Sequence, residues 1–344
     1  MKQLRLRKNK KWAFAVIAFV AMVVLAGCAD GGGDGSRVEI TNVAFDPARE
    51  LFDAYNSLFQ AYWDERTGQE VEIFSSFGGS AAQARSVIDG NEADVVALAL
   101  EHDVEELRRA GLVDEGWQDR FDFNSSPYTS TIVLVVRAGN PLNIQDWDDV
   151  VAPGIGVVTP NPRTSGGARW NFLAAWAFAH DRFGGDVAAS EAFMADLYGN
   201  VRVLDSGARG STITFSENEI GDVLLAWESD ALLIMRERPG EFEIVTPSIS
   251  ILAQPMVAVV DDVARRRGTE EVSEAYLAFL YADEAQRLIG RNFYRPANPT
   301  ILAEFADLFD LNVSLATVED FGGWDVVAEQ FFAEGGVFDR IYSE

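Results

Sequence analysis

The chain predicts an α/β fold divided into two domains. Three observations carry that expectation. Strand-like and helix-like stretches alternate from Arg37 onward. About 300 residues follow a leader-like start, more than one core organises. Turns rich in glycine and serine recur where a strand gives way to a helix.

Val38, Ile40 and Asn42-Val43 open as a short strand. From Asp46 the period changes: Leu51, Phe52, Tyr55, Leu58, Phe59, Tyr62 and Trp63 recur at helical spacing and give one apolar face. Residues 71–74 read as the next strand, 81–89 as a helix and 94–100 as a buried strand, which completes a β-α-β-α-β opening. Further strands are expected at 131–136, 156–159, 201–204, 223–227, 242–245 and 256–260. Helices are expected between most of them, notably at 166–180, 191–198 and 272–281. No internal repeat is visible.

The first residues carry six positive charges (Lys2, Arg5, Arg7, Lys8, Lys10 and Lys11) and no negative one, ahead of an apolar run from Trp12 to Leu25. That is an export signal rather than a domain, and the run is short for a membrane span. It ends in Leu25-Ala26-Gly27-Cys28, which resembles a bacterial lipobox. The resemblance implies a lipoprotein signal peptide over 1–27, lipidation of Cys28 and a chain anchored on the outer side of a bacterial membrane. Residues 28–36, Cys-Ala-Asp-Gly-Gly-Gly-Asp-Gly-Ser, have nothing to bury and read as a flexible tether. Cys28 is the only cysteine, so no internal disulfide forms and stability rests on packing.

The formal net charge of the whole chain is −26, and every lysine lies in the leader, so the remainder is more acidic still and uses only arginine. Such a surface argues against nucleic acid, which calls for a cationic stripe. It also repels anions at long range, so any anion site must be local and built from short-range donors.

Four loops combine a strand end, small residues and a helix start, where unpaired backbone N–H groups gather. The first is Phe45-Asp46-Pro47, with Asp46 as a cap and Pro47 at the first helical position. The second is Gly78-Gly79-Ser80-Ala81-Ala82-Gln83, where Ser80 and Gln83 have capping-box spacing. The third is Thr164-Ser165-Gly166-Gly167-Ala168-Arg169-Trp170, and the fourth Asp205-Ser206-Gly207-Ala208-Arg209-Gly210-Ser211. Each reads either as an ordinary helix start or as a cradle for an anion. Trp227, ending an apolar run, reads either as core or as an indole N–H donor.

Taken together and in order, these loops resemble the sulfate/thiosulfate-binding branch of the periplasmic binding proteins. The resemblance extends through Pro127-Tyr128-Thr129-Ser130-Thr131, Thr159-Pro160-Asn161-Pro162, Gly221-Asp222-Val223, Ala226-Trp227-Glu228, Asn292-Phe293-Tyr294-Arg295-Pro296 and Phe321-Gly322-Gly323-Trp324. It implies a two-lobed α/β fold of type II with a hinge of crossover strands near 127–136 and 254–260. Lobe I then comprises 37–128 and 255–344, and lobe II 129–254. It also implies capture of sulfate or thiosulfate in the cleft between the lobes and delivery to a membrane ABC permease and its ATPase, by a monomer without cofactor or metal. Carried over by motif, the ligand donors are the backbone N–H groups of Asp46, Ser80, Gly166, Gly167 and Ala208, the Ser165 hydroxyl and the Trp227 indole. Arg209 would brace its loop through carboxylates. Phe77 departs from the histidine common before the glycines, and Ala81 and Ala82 replace small polar or basic residues. These departures bear on selectivity among oxyanions.

An enzyme is the main competing class. Gly-x-Ser-x-Gly is absent at Ser80 and Ser165, and His180 is expected about four turns along the helix from Ser165. A receptor for molybdate or phosphate is the nearer alternative.

Overall fold

The computed structural model describes residues 37–342. The leader, Cys28 and the tether lie outside the described residues. Among those described, no helix is long and apolar enough to cross a membrane.

Two sheets organise the chain, and they share a connectivity. In the first, β1 (Arg37–Phe45) lies parallel between β2 (Glu70–Gly78) and β3 (Val95–Leu98), and β11 (Met256–Val259) runs antiparallel on β3. The second is built by β5 (Ile132–Arg137), β6 (Val157–Pro160), β7 (Val201–Asp205), β8 (Val223–Trp227) and β9 (Phe242–Val245). Here β6 lies parallel between β7 and β8, and β5 runs antiparallel between β8 and β9. In both sheets the first strand of the unit has its successors on either side. Strand order therefore reverses at β1 and at β6, and such switch points open a crevice at the carboxyl ends of the strands. An antiparallel strand completes each sheet: β11, which returns after the second sheet, joins the first, and β5, the first strand after the crossover, joins the second between β8 and β9. This is the two-lobed type II architecture that the resemblance implies.

The chain passes between the sheets along two adjacent segments. One leaves β4 (Tyr128–Thr129) for β5, and the other leaves β10 (Ile249–Ile251) for β11. They meet at an antiparallel bridge in which Ser130 and Ala253 exchange both backbone hydrogen bonds at 2.9 Å. The Ser250 hydroxyl fastens the same place, accepting from Thr131 Oγ1 at 2.8 Å and donating to the Ile132 carbonyl at 2.7 Å.

Helices cover the sheets through the faces that periodicity marks. In Arg49–Thr67 the residues Leu51, Phe52, Tyr55, Phe59 and Trp63 are buried, with Leu58 and Tyr62 partly so. Gly166–Arg182 is different, because it is buried from Gly166 through Ala179 on nearly every side. The cause lies at the end of the chain. β13 (Ser314–Ala316) pairs with β10, and Trp324, Phe331 and Phe338 then pack on Trp170, Trp176 and Tyr198 with ring centroids 4.8, 4.9 and 5.3 Å apart. Residues 314–342 thus lie largely against elements of the second sheet, a departure from the division that gives all of 255–344 to the first lobe. Local pattern does not reveal it, since an aromatic stripe does not name its partner.

One quoted motif is explained by backbone geometry. Gly221 has φ +77°, and a Cβ there would stand 2.7 Å from Val158 Cγ2. Only glycine fits, while Asp222 accepts the Gly156 N–H at 2.7 Å and closes the turn into β8.

Candidate oxyanion-binding site

Each expected residue lies at or beyond the carboxyl end of a strand at one of the two switch points. β1 ends at Phe45, and Asp46 begins a short 3-10 turn, Asp46–Ala48, with Pro47 behind it. The Asp46 carboxylate turns to Arg49 Nη2 at 2.8 Å, which leaves its main chain for any ligand. β2 ends at Gly78, Gly79 is the extended N-cap, and Ser80 is the first residue of helix Ser80–Ile88.

The capping-box expectation for Ser80 and Gln83 is not met. Gly79 takes the cap position, and the Ser80 hydroxyl accepts the Ala99 N–H at 2.9 Å and donates to the buried Asp103 carboxylate. Gln83 reaches instead toward the Ala44 carbonyl and the Ser76 hydroxyl, at 3.4 and 3.3 Å. A capping hydroxyl would accept a first-turn N–H; here the oxygen takes the Ala99 N–H instead while the proton makes a charge-assisted bond to the carboxylate, so the hydroxyl goes inward. Burial raises the Asp103 pKa, and the Ser80 hydroxyl, Arg169 and His102 oppose the rise. Arg169 is held low by its own burial, with Asp103 pulling it up, and its Nε donates to the Pro162 carbonyl at 3.1 Å.

On the second sheet, β6 leads to Ser165, the N-cap of Gly166–Arg182. Its hydroxyl oxygen accepts the Ala168 N–H at 3.3 Å, and its proton stays available for donation. β7 leads through Gly207 to Ala208, the first residue of Ala208–Ser216. β8 ends at Trp227, which is 1 % exposed. The first N–H groups of a helix have no partner within it. Among the described residues, those of Ser80, Gly166, Gly167 and Ala208 bond to no other protein acceptor.

The two lobes touch at these turns. A Cβ on Gly166 would stand 3.0 Å from Ser80 Cβ and 3.2 Å from Ala99 Cβ, so two helix starts from opposite lobes meet with nothing between them. A Cβ on Gly79 would stand 3.0 Å from the Thr164 carbonyl. Trp170 donates its indole N–H to the Ala99 carbonyl at 2.9 Å, again from lobe to lobe. Trp227 stands over Gly167, its Nε1 3.3 Å from the Gly167 carbonyl, a long hydrogen bond. Its ring packs on Phe45, with centroids 5.6 Å apart, and so joins Asp46 to the group. The Asp46–Ala48 turn also packs against helix Ala208–Ser216. All seven expected residues therefore converge at a closed interface.

The surroundings are charged, the donors themselves are not. Arg209 reaches Glu50 Oε1 at 3.1 Å across the groove, the carboxylate brace that the sequence predicts for it. Phe77 lies against the Arg49 guanidinium, 4.5 Å from its ring centroid. Asp103, Glu50 and Asp230 were not singled out by the sequence, where nothing local distinguishes them from other acidic residues on helices. His180 sits exposed at the far end of the Ser165 helix, about 20 Å along its axis, too far to serve that hydroxyl as a base.

A family profile described as bacterial extracellular solute-binding protein matches residues 47–295. The sulfate-binding protein of Escherichia coli (strain K12) is 51% identical over 306 residues, covering 88% of this chain and 93% of its own length. The thiosulfate-binding protein of Pseudomonas aeruginosa is 43% identical over 327 residues, covering 94% and 98%. Among solved structures, the sulfate-binding protein SubI from Mycobacterium tuberculosis H37Rv superposes with a TM-score of 0.78 at 35% identity, covering 86% of this chain and 99% of that one.

Proposed function

Because this chain belongs to the bacterial extracellular solute-binding proteins, in their sulfate- and thiosulfate-binding branch, we propose that it captures sulfate or thiosulfate between its lobes for an ABC permease and its ATPase. The observation that carries this reading is the meeting of helix starts from both lobes at paired switch points, with N–H groups that no acceptor among the described residues takes up.

The proposed donors are the backbone N–H groups of Asp46, Ser80, Gly166, Gly167 and Ala208, the Ser165 hydroxyl and the Trp227 indole. Moving a single charge into an apolar medium costs roughly 20 kcal/mol in the idealised limit, and a dianion more, so many short hydrogen bonds must replace its water. Helix dipoles add about 0.3 to 2 kcal/mol per favourable terminus, which supports the donors without replacing them. Sulfate accepts hydrogen bonds only, whereas phosphate near neutral pH keeps a proton that needs an acceptor. A site made of donors leaves that proton unpaired and selects against phosphate.

Donors split between lobes make binding favour the closed form, the form a permease can distinguish from the open one. One chain supplies the full set, so a monomer suffices. The protein works by binding, without catalysis, cofactor or metal. The leader and Cys28 support export and anchoring on the outer side of the membrane through a lipidated cysteine.

Calorimetric titration of the purified protein with sulfate, thiosulfate, molybdate and phosphate tests the reading. Tight binding of sulfate or thiosulfate with none of phosphate is expected. Tight binding of molybdate or phosphate alone would transfer the site to the alternative class.

A further inference from the structure

Two sequence stretches outside the donor set, the Glu228 side of Ala226-Trp227-Glu228 and the segment Asn292 to Pro296, come together in the fold. Glu228 opens helix Glu228–Glu237 directly after Trp227. Arg295 grips its carboxylate with both prongs, Nε to Oε2 at 2.6 Å and Nη2 to Oε1 at 2.8 Å. Each side chain is only 5% exposed. The same Nη2 also donates to the Asp310 carbonyl at 2.9 Å.

The two partners stand on opposite sides of the crossover. Glu228 continues β8 of the second sheet, and its backbone N–H donates to the Thr131 carbonyl at 2.8 Å. Arg295 lies in β12 (Arg295–Pro296), which pairs with β4 just before the chain enters the second sheet. Gln286 ties the Arg295 segment to the same region, bonding the Pro127 carbonyl at 2.8 Å and accepting the Asn298 N–H at 2.9 Å. A buried ion pair is weak evidence for stability, since apolar residues of similar volume hold as well or better. A bidentate guanidinium–carboxylate fork fixes direction as well as distance. The backbone it fixes here is the one that carries the Trp227 indole.

We propose that Glu228, gripped by Arg295, is a positioning residue of the anion site: the pair fixes the end of β8 against the first lobe and so holds the Trp227 indole in register with the donors on the opposite side. This rests on the sulfate reading above and adds to it a residue that touches no ligand.

A double-mutant cycle on the full chain tests it, with sulfate affinity measured for the wild type, Glu228→Gln, Trp227→Phe and the double variant. Glu228→Gln is expected to weaken sulfate about tenfold when the indole is present and no more than about twofold when Trp227 is phenylalanine. A merely structural role predicts the same loss in both backgrounds, and that result overturns the inference, as does an unchanged affinity. If Trp227→Phe by itself leaves sulfate binding intact, the indole is no ligand and the site reading falls with the inference. If Trp227→Phe weakens binding and the two losses simply add, the inference alone falls. Arg295→Lys keeps the charge and removes the fork, and it decides the question by the same cycle should Glu228→Gln fail to fold.

Discussion

Trp227 and Glu228 are adjacent in the chain, and the structure treats charge in opposite ways on either side of the peptide bond that joins them. Behind Glu228, a buried carboxylate meets a buried guanidinium at 2.6 and 2.8 Å, charge against charge. In front of Trp227, helix starts converge with neutral donors only, and three nearby formal charges are engaged elsewhere: Asp46 with Arg49, Glu50 with Arg209, Asp103 with Ser80. The difference follows from permanence. A fixed pair tolerates full neutralisation because it never has to part. A cargo must leave, and strong opposite charge would hold it too long, whereas the dispersed hydrogen bonds proposed from two lobes would all break together when the lobes separate.

Removing one member of the permanent pair should have the largest effect. Arg295→Met strands Glu228 in the interior and is expected to cost about 3–5 kcal/mol in chemical denaturation, while the double change Glu228→Met with Arg295→Met recovers most of that. Equal losses in single and double variants would erase the contrast between the two regions. On the ligand side, Ser165→Ala removes one donor and is expected to weaken sulfate by about 1.5–3 kcal/mol in calorimetry.

Gly166→Ala probes closure itself. The added Cβ meets Ser80 and Ala99 at 3.0 and 3.2 Å, so sulfate affinity is expected to fall by about 1–3 kcal/mol through overpacking between the lobes. The melting temperature of the sulfate-free protein should change little, because an open form has room for the methyl. A matching fall in both would tie the contact to folding instead.

The smallest expected effect belongs to Asp230, two residues beyond Glu228 and, among the described residues, without an ion pair. Burial, with the Glu50 and Asp46 carboxylates adding and Arg209 opposing, pushes its pKa up to about 7. A carboxyl raised in this way favours the folded state when neutral, and that contribution is lost as pH rises from its ordinary value near about 4 through about 7. Asp230→Asn should therefore flatten the stability profile over that window and gain about 1 kcal/mol at about pH 8, the partial exposure of the group limiting the gain. An unchanged slope would show that Asp230 is not the group responsible.

The strands and the four loops were legible because their signals are local. A proline after Asp46, paired glycines before Ser80 and after Ser165, and valine runs ending in small residues each act within one turn of chain. What stayed hidden depends on distance in sequence. Which residue caps the Ser80 helix was decided by Asp103, twenty-three residues on, and the Arg295 partner of Glu228 lies sixty-seven residues away. The course of residues 314–342 over the second sheet was hidden for the same reason, since aromatic residues such as Phe331 and Phe338 would pack equally well on any apolar face. The resemblance in the motifs supplied the proposed donor set, and the fold added the Glu228–Arg295 pair behind it.

Five of the seven proposed contacts use the peptide N–H, a group that every amino acid except proline carries. Outside the two crowded glycines, Gly166 and Gly167, point mutation at those positions changes a side chain and leaves the donor where it was, so long as the turn keeps its path. Heredity for this capture is thus stored in the course of the chain more than in its letters, and a lineage could recolour nearly all of the coat, including most of its 54 acidic residues, without rewriting what the ion meets.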